Sequence, residues 1–406
     1  MQILIQAADV FDNIGDVSMQ LVVMERLRKL WPEASLHVIT EQPNQLAKYA
    51  PYAIPVKISE PPQWFGLRSL LREWISDKRR QNLVTLENNL KTFIPSQIKQ
   101  NKVLLAALKQ SDALVFGGSG AICDDFVGLA VRRLDLLERA INTGKKTAMF
   151  GQGIGPANHP ELIKRMKTIL PRVDLICLRE GHNAIPLLKS CGVDMSKVIT
   201  TGDDAIELAY LKKADTLGEN IGVCIRVSSY SGLSPGPSTI KEDIYTALHT
   251  VANRHKISIV PLPVGPNDHY SIGDLLKKPN SVPHLETPAR LLDEVRRCRV
   301  SVVGSHHAGI YSLSQGISVV CLAKSPHYVY KFSGLAEQFN NVGCEVLSYD
   351  DPQLKEKLEI ALENALQNAQ ENRPKLLQSA QSQIQVGINA YYRFYELVEG
   401  KVTKNQ

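Results

Sequence analysis

The sequence predicts an α/β protein with two doubly wound, Rossmann-like domains and a helical C-terminal tail. Short apolar runs alternate with segments of helical spacing, which is typical of βαβ units around a parallel sheet. The alternation occurs in two sets, separated by a break in periodicity. A length of 406 residues also favours more than one domain, because a domain usually has about 100 to 200 residues.

The first set of elements predicts an N-terminal domain over residues 1–212. A strand at 3–6 is followed by a helix at 17–31 and a strand at 35–39. Later apolar runs predict strands at 113–116, 147–150 and 175–178.

The second set predicts a domain over residues 219–350. Lys212, Lys213 and Gly218 interrupt the periodicity before it. Its strands are expected at 221–225, 257–262, 300–303 and 319–322. Residues 351–406 have helical spacing and are expected to pack back across both domains, with a break at Pro374 because proline cannot donate a backbone hydrogen bond.

Composition narrows the class of protein. Hydrophobic residues make up 44% and charged residues 22%, as in an ordinary globular protein. The net charge of +6 is mild for this length and favours an anionic small substrate over nucleic acid. The seven cysteines form no C-x-x-C pair, which points to reduced thiols and a cytoplasmic location.

The sequence indicates no metal or cofactor. Asp124-Asp125 and Asp203-Asp204 are adjacent pairs, whose side chains usually point in different directions rather than sharing one ion. The glycines at 117–120 form neither a G-x-G-x-x-G motif nor a P-loop, so no dinucleotide or ATP site is expected.

Two adjacent histidines mark the leading candidate site. His306 and His307 lie where a strand-type run ends at Gly304 and a helical pattern begins, and open α/β sheets bind ligands at such positions. Histidine titrates near neutral pH and suits proton transfer. The alternative for either ring is a hydrogen bond to backbone at the strand end.

This segment resembles the C-terminal signature of the polysaccharide pyruvyl transferase family, which reads Gly-x-Arg-x-His-Ala and is followed by a lysine. Ser305 stands where the family has Arg. Further segments resemble family motifs in the same order over residues 3–340. They are Asn13-Ile14-Gly15-Asp16, Phe116-Gly117-Gly118-Ser119-Gly120, Gly151-Gln152-Gly153-Ile154-Gly155-Pro156, Leu178-Arg179-Glu180, Thr201-Gly202-Asp203-Asp204-Ala205 and Cys224-Ile225-Arg226.

The resemblance implies a fold and a reaction. The fold is GT-B-like, with the two domains facing each other across a cleft. The reaction moves a pyruvyl group from phosphoenolpyruvate to a sugar diol of a cell-surface polysaccharide or its lipid-linked precursor, forming a ketal, with no cofactor besides this donor. The donor carries a carboxylate and a phosphate, so several cations or N–H groups must converge on it.

The resemblance also suggests roles on the C-terminal side of the cleft. His307 is expected to act as acid or base, or to orient the donor. His306, if protonated, would supply part of the charge missing at Ser305. Arg226 fits the donor carboxylate or phosphate with its guanidinium fork. Lys331 is a candidate phosphate contact, and its alternative is a solvated loop lysine.

On the N-terminal side, glycines let backbone approach an anion, and helix N-termini attract negative charge. Asp16 is a candidate for substrate binding, but it could instead be a plain helix N-cap. Arg179 could likewise be only an ion-pair partner of Glu180. The substrate-binding candidates here are Asn13, Gly15, Asp16, Gly118, Gly120, Gln152 and Arg179.

Residues 61–83 do not fit the alternating scheme. Trp64, Leu71 and Trp74 recur at helical spacing beside the basic run Lys78-Arg79-Arg80. A basic amphipathic helix of this kind can lie on an anionic membrane or bind a lipid-linked or polymeric acceptor, so peripheral membrane contact is one expectation. The other is a helix that docks its apolar face on the N-terminal domain.

Two rival functions stay open at the level of sequence. A nucleotide-sugar glycosyltransferase of the same architecture would need a C-terminal carboxylate near Glu286 or Asp293 to hold a ribose. A non-catalytic glycan-binding relative would have lost activity together with the arginine replaced by Ser305.

Overall fold

Two parallel β-sheets form the core of the protein. The computed structural model describes residues 1–7, 11–58, 102–227, 233 and 238–400. The amphipathic segment predicted at 61–83 lies outside these residues. All strand pairs within the two sheets are parallel over the described ranges, which confirms the predicted fold class.

Among the described residues, the first sheet contains eight strands in the order β3-β2-β1-β4-β6-β7-β8, with β5 paired to β6. Its centre is apolar on both faces, as helices on each side of a parallel sheet require. The strand order reverses between β1 and β4, and doubly wound folds bind ligands at this kind of reversal. The strands are β1 (Gln2–Gln6), β2 (Ser35–Thr40), β3 (Ile54–Lys57), β4 (Ala113–Phe116), β5 (Ser119–Ile122), β6 (Lys146–Ile154), β7 (Leu175–Leu178) and β8 (Val198–Thr200).

The helices that accompany this sheet are α1 (Ile14–Leu30), α2 (Pro43–Tyr49), α3 (Lys102–Gln110), α4 (Val127–Asn142), α5 (Pro160–Ile169), α6 (Ala184–Ser190) and α7 (Ala205–Leu211). The helix expected at 17–31 begins three residues earlier because Asn13 caps it. The Asn13 side-chain oxygen accepts a hydrogen bond from the Gly15 N–H at 2.9 Å. Asp16 lies in the first turn, so its alternative as the N-cap is wrong.

The second sheet has the order β10-β9-β11-β12-β13 and reverses between β9 and β11. Its strands are β9 (Asn220–Cys224), β10 (Ile259–Pro261), β11 (Cys298–Val303), β12 (Ser318–Ala323) and β13 (Cys344–Ser348). Its helices are α8 (Thr239–His255), α9 (Asp268–Leu275), α10 (Pro288–Val295), α11 (His306–Ser314) and α12 (Pro326–Gln338). The expected limits 1–212 and 219–350 each enclose one sheet.

The C-terminal tail is one helix, α13 (Leu354–Glu399), of 46 residues. The break expected at Pro374 is wrong. Contacts on both sides of the proline hold the helix in place: Arg373 donates to the Gln315 carbonyl at 2.9 Å, and Leu376 is buried. These long-range contacts offset the backbone hydrogen bond that proline cannot make.

The tail helix contacts both halves of the molecule. Leu358 and Leu362 of α13 lie in the core of the second sheet, whereas Phe394 packs edge-on against Phe150 of the first. The two halves also touch directly, since the Ile14 N–H donates to the Val264 carbonyl at 3.0 Å. Over the described part of the chain, no helix combines the length and the apolar character that crossing a bilayer needs.

Candidate functional site

A pocket of about 190 Å³ lies between the carboxyl edges of the two sheets. Both points of strand reversal open onto it, because its lining residues follow β1 and β4 in one sheet and β9 and β11 in the other. The structure thus brings together most of the predicted site residues. Those that line the pocket are Asn13, Asp16, Gly118, Gly120, Arg179, Arg226, Ser305, His306, His307 and Lys331.

Gly15 and Gln152 do not line the pocket but lie close behind it. A Cβ atom at Gly15 would be 2.1 Å from the Nδ1 atom of His307, so only glycine allows this close approach. The Gln152 amide donates to the carbonyls of Gly117 at 2.6 Å and Phe150 at 2.8 Å. Gln152 therefore positions the glycine turn, and its expected substrate contact stays a prediction.

His307 lies in the first turn of α11 and is buried. Burial lowers the pKa of His307 well below its ordinary value, and the cations Arg179, Lys331 and Arg226 lower it further. The ring is therefore neutral at pH 7. Its Nε2 atom has no hydrogen-bond partner among the described residues, so it is available to a ligand.

The His307 ring faces a carboxylate that sequence reasoning did not place in the site. The Oδ2 atom of Asp203 lies 3.6 Å from His307 Nε2 and 3.9 Å from a terminal nitrogen of Arg179. Burial raises the pKa of Asp203 to about 7, although Arg179 opposes the shift. The turn containing Asp203 was visible as a motif, but nothing in the sequence paired it with a histidine 104 residues later.

His306 is also buried at the edge of the pocket. Burial lowers the pKa of His306 well below its ordinary value, with Arg179, His307 and Lys331 acting in the same direction. This opposes the expectation that a protonated His306 supplies the charge missing at Ser305. Neither ring nitrogen bonds to another described residue, which also argues against a backbone-binding role.

Arg226 enters the pocket already oriented by a partner. Its Nε atom donates to Asp268 at 3.1 Å, and a terminal nitrogen donates to the same carboxylate at 2.7 Å. Burial alone would raise the pKa of Asp268, but Arg226 and the N–H groups of Gly265 and Val264 hold it below its ordinary value. Asp268 follows β10 and carried no motif in the sequence.

The structure places Arg179 both in the cleft and beside Glu180, and its contact with substrate stays a prediction. Arg179 lines the pocket, and its Nε atom donates to Glu180 at 2.8 Å. One terminal nitrogen, Nη2, has no hydrogen-bond partner within the described ranges. The guanidinium lies against glycines, since a Cβ at Gly153 would be 2.5 Å from that nitrogen and one at Gly120 2.8 Å. These glycines leave the space that Arg179 occupies.

Lys331 lies on α12, so its alternative as a solvated loop lysine is wrong. Burial and the charge of Arg179 together lower the pKa of Lys331 to about 8, although Cys123 and Glu180 oppose the shift. The ammonium stays mostly protonated at pH 7. Its Nζ atom is 5.5 Å from the centre of the Tyr328 ring.

Positive charge dominates the pocket wall. Arg133, which the sequence did not single out, joins Arg179, Arg226 and Lys331 there, whereas Asp16 is the one carboxylate among the described lining residues. Arg133 is held by the Ala7 carbonyl at 2.9 Å. Four cations around a small cavity favour a compact anion with more than one negative group.

Comparisons with known proteins agree with the fold and the motifs. Residues 13–326 match the model of the family described as polysaccharide pyruvyl transferase. No curated protein sequence matches the chain.

Several solved structures share the two-domain, GT-B-like fold. The S. aureus MnaA–UDP structure has a TM-score of 0.59 at 11% identity, covering 100% of this chain and 98% of that one. UDP-GlcNAc 2-epimerase from Neisseria meningitidis bound to UDP-GlcNAc has a TM-score of 0.54 at 13% identity, covering 100% of both chains. A glycosyltransferase from Rickettsia africae has a TM-score of 0.52 at 13% identity, covering 100% of this chain and 99% of that one. At such identities the likeness concerns the fold alone.

The family match spans more than half of the chain, from the cap of α1 to the start of α12. Within that span lie Asp16, Arg179, Arg226 and His307, which the fold gathers around one pocket. The chain therefore belongs to the polysaccharide pyruvyl transferase family.

Proposed function

We propose that the protein transfers a pyruvyl group from phosphoenolpyruvate to a sugar diol of a cell-surface polysaccharide or its lipid-linked precursor. The observation that carries this proposal is the small pocket in which four cations converge beside a neutral histidine. Family membership supports the same reaction class. No further cofactor is part of the proposal.

The cations suit the two anionic groups of the donor. Arg226 is already oriented by Asp268. Binding the donor therefore costs little further conformational entropy of the Arg226 side chain. The Nη2 atom of Arg179 lacks a hydrogen-bond partner among the described residues and can donate to a phosphate or carboxylate oxygen. Lys331 adds a compact charge from the second half of the molecule, and a Cβ at Gly120 would be 3.4 Å from its Nζ atom and 2.8 Å from Arg179.

The proposed chemistry has two steps. A sugar hydroxyl adds its oxygen to C2 of the donor while C3 gains the proton that the hydroxyl loses and becomes a methyl group. A second hydroxyl then bonds to C2 as the C2–O bond to phosphate breaks, and its proton leaves with the phosphate, which closes the ketal. His307, neutral at pH 7, accepts a hydroxyl proton, and ionised Asp203 at 3.6 Å stabilises the resulting imidazolium.

The pocket argues against the nucleotide-sugar alternative. Glu286 and Asp293, the carboxylates that could hold a ribose, are 62% and 45% exposed at their side chains and do not line the pocket. The volume of about 190 Å³ is also below the roughly 300–1,000 Å³ typical of sites for drug-sized ligands. The pocket also argues against the non-catalytic alternative. Asp203, His307 and Lys331 have strongly shifted pKa values, and such shifts are common in active sites.

The proposal also includes where in the cell the reaction occurs and which part of the chain contacts the acceptor. Seven free cysteines support a cytoplasmic site of reaction. The segment 61–83, outside the described residues, is our candidate for contact with a lipid-linked acceptor or with the membrane surface.

Calorimetric titration with phosphoenolpyruvate and, separately, with nucleotide sugars tests the donor. Phosphoenolpyruvate should bind to the wild type, and Arg179→Gln and Lys331→Gln should each weaken binding by about 10- to 100-fold, because each removes a charge-assisted contact. Lys324→Gln is the matched control, since Lys324 lies near α12 and pairs with Asp350 outside the pocket. Saturable binding of a nucleotide sugar with none of phosphoenolpyruvate would refute the proposal.

A further inference from the structure

A second cluster of reactive side chains lies beside the pocket without lining it. Cys123, Asp125 and His327 each offer one ligand atom, and these atoms lie within 4.8 Å of one another. The Nδ1 atom of His327 is 3.3 Å from the Oδ2 atom of Asp125. The sequence predicted no metal, because the adjacent side chains of Asp124 and Asp125 were expected to point in different directions, and His327 is about 200 residues away.

We propose that Cys123, Asp125 and His327 bind a zinc ion that joins the two halves of the molecule. Tetrahedral zinc with Zn–N and Zn–O bonds of about 2.0–2.2 Å separates its nitrogen and oxygen ligands by roughly 3.3–3.5 Å. The observed 3.3 Å between His327 and Asp125 fits this separation. A small movement of the Cys123 side chain completes three corners of the tetrahedron.

The kinds of ligand select the metal. A thiolate, an imidazole and a carboxylate suit zinc, whereas calcium and magnesium prefer oxygen ligands alone. Cys123 loses its thiol proton to solvent on binding, and the two negative ligands then balance the charge of the ion. Asp125 is exposed, so water has access to the fourth position.

The loop that carries two of the ligands is held in place by its neighbours. The Asp124 carboxylate accepts hydrogen bonds from the N–H groups of Asn158 and His159 at 2.8–3.0 Å. The Phe126 ring meets the His327 ring edge-on, with centroids 6.1 Å apart. The ligands are therefore partly preorganised, which reduces the entropy lost on binding.

The site would connect the two sheets next to the donor pocket. Cys123 and Asp125 lie between β5 and α4 of the first half, and His327 lies in the first turn of α12 of the second. Lys331 is one helical turn further along α12. Bound zinc would thus hold α12, and with it Lys331, against the first half. This inference does not depend on the identity of the donor.

Zinc binding to the metal-free full-length protein can be measured by competition with a chromophoric chelator. We expect one equivalent of zinc per chain and a higher Tm with zinc. Cys123→Ser, Asp125→Asn and His327→Gln should each weaken binding by roughly 100-fold or more, because each removes a direct ligand. Cobalt substitution should give a thiolate charge-transfer band that Cys123→Ser abolishes.

Two variants serve as matched controls. Cys191→Ser removes another buried cysteine, and His255→Gln removes an exposed histidine that pairs with Glu363. Both should keep full zinc affinity. Asp125 is exposed, so its variant should fold even if the others do not. Absence of stoichiometric binding, or zinc affinity that Asp125→Asn leaves unchanged, would overturn the proposal.

Discussion

At the scale of single residues, burial next to fixed charges decides the protonation states of the site. Asp203 and His307 have ordinary pKa values on either side of pH 5, yet the folded protein inverts their order. The pKa of Asp203 rises to about 7, and that of His307 falls well below its usual range. A neutral base beside a carboxylate that ionises near pH 7 is an arrangement that neither residue has in water.

This inversion predicts a pH dependence of activity. The groups facing Asp203 are His307, Arg179, Asp204 and Glu180. Because protonated Asp203 cannot stabilise a charged His307, kcat/KM of the wild type should fall as the pH drops below about 7. Asp203→Asn should lower kcat by roughly 10- to 100-fold and remove the fall of kcat/KM below pH 7. If the variant shows the same fall, Asp203 is excluded as the titrating group.

Stability provides the control for that variant. The folded-state pKa of Asp203 is raised, so the folded protein binds the proton more tightly than the unfolded chain does. The carboxyl therefore destabilises the fold progressively as the pH rises from about 4 to 7, and fully above that range. Asp203→Asn should consequently raise Tm at pH 8 and change it little at pH 4. Lost activity with raised Tm cannot result from unfolding.

At the scale of elements, helix ends and close backbone approaches position the side chains. Asn13 starts α1, and the second residue of that helix is the glycine beneath the His307 ring. Glycine at this position could be read from the sequence as a turn residue. Its contact with a histidine in the other half depends on how the two sheets face each other.

Gly15→Ala should reduce activity by about 100-fold or more. The added methyl group would lie 2.1 Å from His307 Nδ1, so the ring must move, and displacements of about 1 Å at a reacting group have effects of this size. Gly273→Ala adds a methyl group to α9 more than one helical turn beyond Asp268 and outside the pocket lining, so it should keep most of the activity. Comparison of kcat and Tm for both variants tests this; equal activities would contradict the proposed role of His307.

Helix α13 continues through Pro374 because its tertiary contacts outweigh the tendency of proline to break a helix. Pro374→Ala should therefore stabilise the protein, by up to about 3 kcal/mol, since it removes the penalty for proline inside a helix. Urea unfolding monitored by circular dichroism gives the change. A decrease in stability would mean that the proline ring itself makes favourable contacts.

At the scale of the whole molecule, one buried arginine links helices of the first half to the tail helix. Arg26 of α1 contacts Asp204 at 2.8 Å and Glu207 at 2.7 Å, and its guanidinium lies 5.0 Å from the Tyr391 ring centre in α13. Three helices meet at this arginine. Burial raises the pKa of Asp204 to about 6, although Arg26 opposes the shift.

Arg26→Gln should destabilise the protein by roughly 3–5 kcal/mol at pH 8, because it leaves the Asp204 charge buried without its partner. The loss should be smaller at pH 5, where Asp204 can take up a proton. Arg28→Gln, an exposed neighbour in the same helix, should change stability little. Urea unfolding at both pH values separates the two; equal losses at pH 5 and 8 would exclude Asp204 as the cause.

Local patterns in the sequence were enough to predict much of the protein. Strand and helix periodicities depend on which faces of each element are buried, so they indicated two parallel sheets. The carboxyl ends of parallel strands meet at one edge of each sheet, and the family resemblance, which implies two domains facing across a cleft, indicated that Arg179, Arg226 and His307 belong to one site.

Other properties were decided only by the tertiary structure, because they arise from contacts between distant segments and from exclusion of water. The Asp203–His307 and Arg226–Asp268 pairs join residues with no shared motif. The neutrality of His306 follows from desolvation, which no local pattern records. The sequence by itself thus determined the fold class, the family and most pocket residues, while the tertiary structure decided the charge states and pairings on which the proposed chemistry depends.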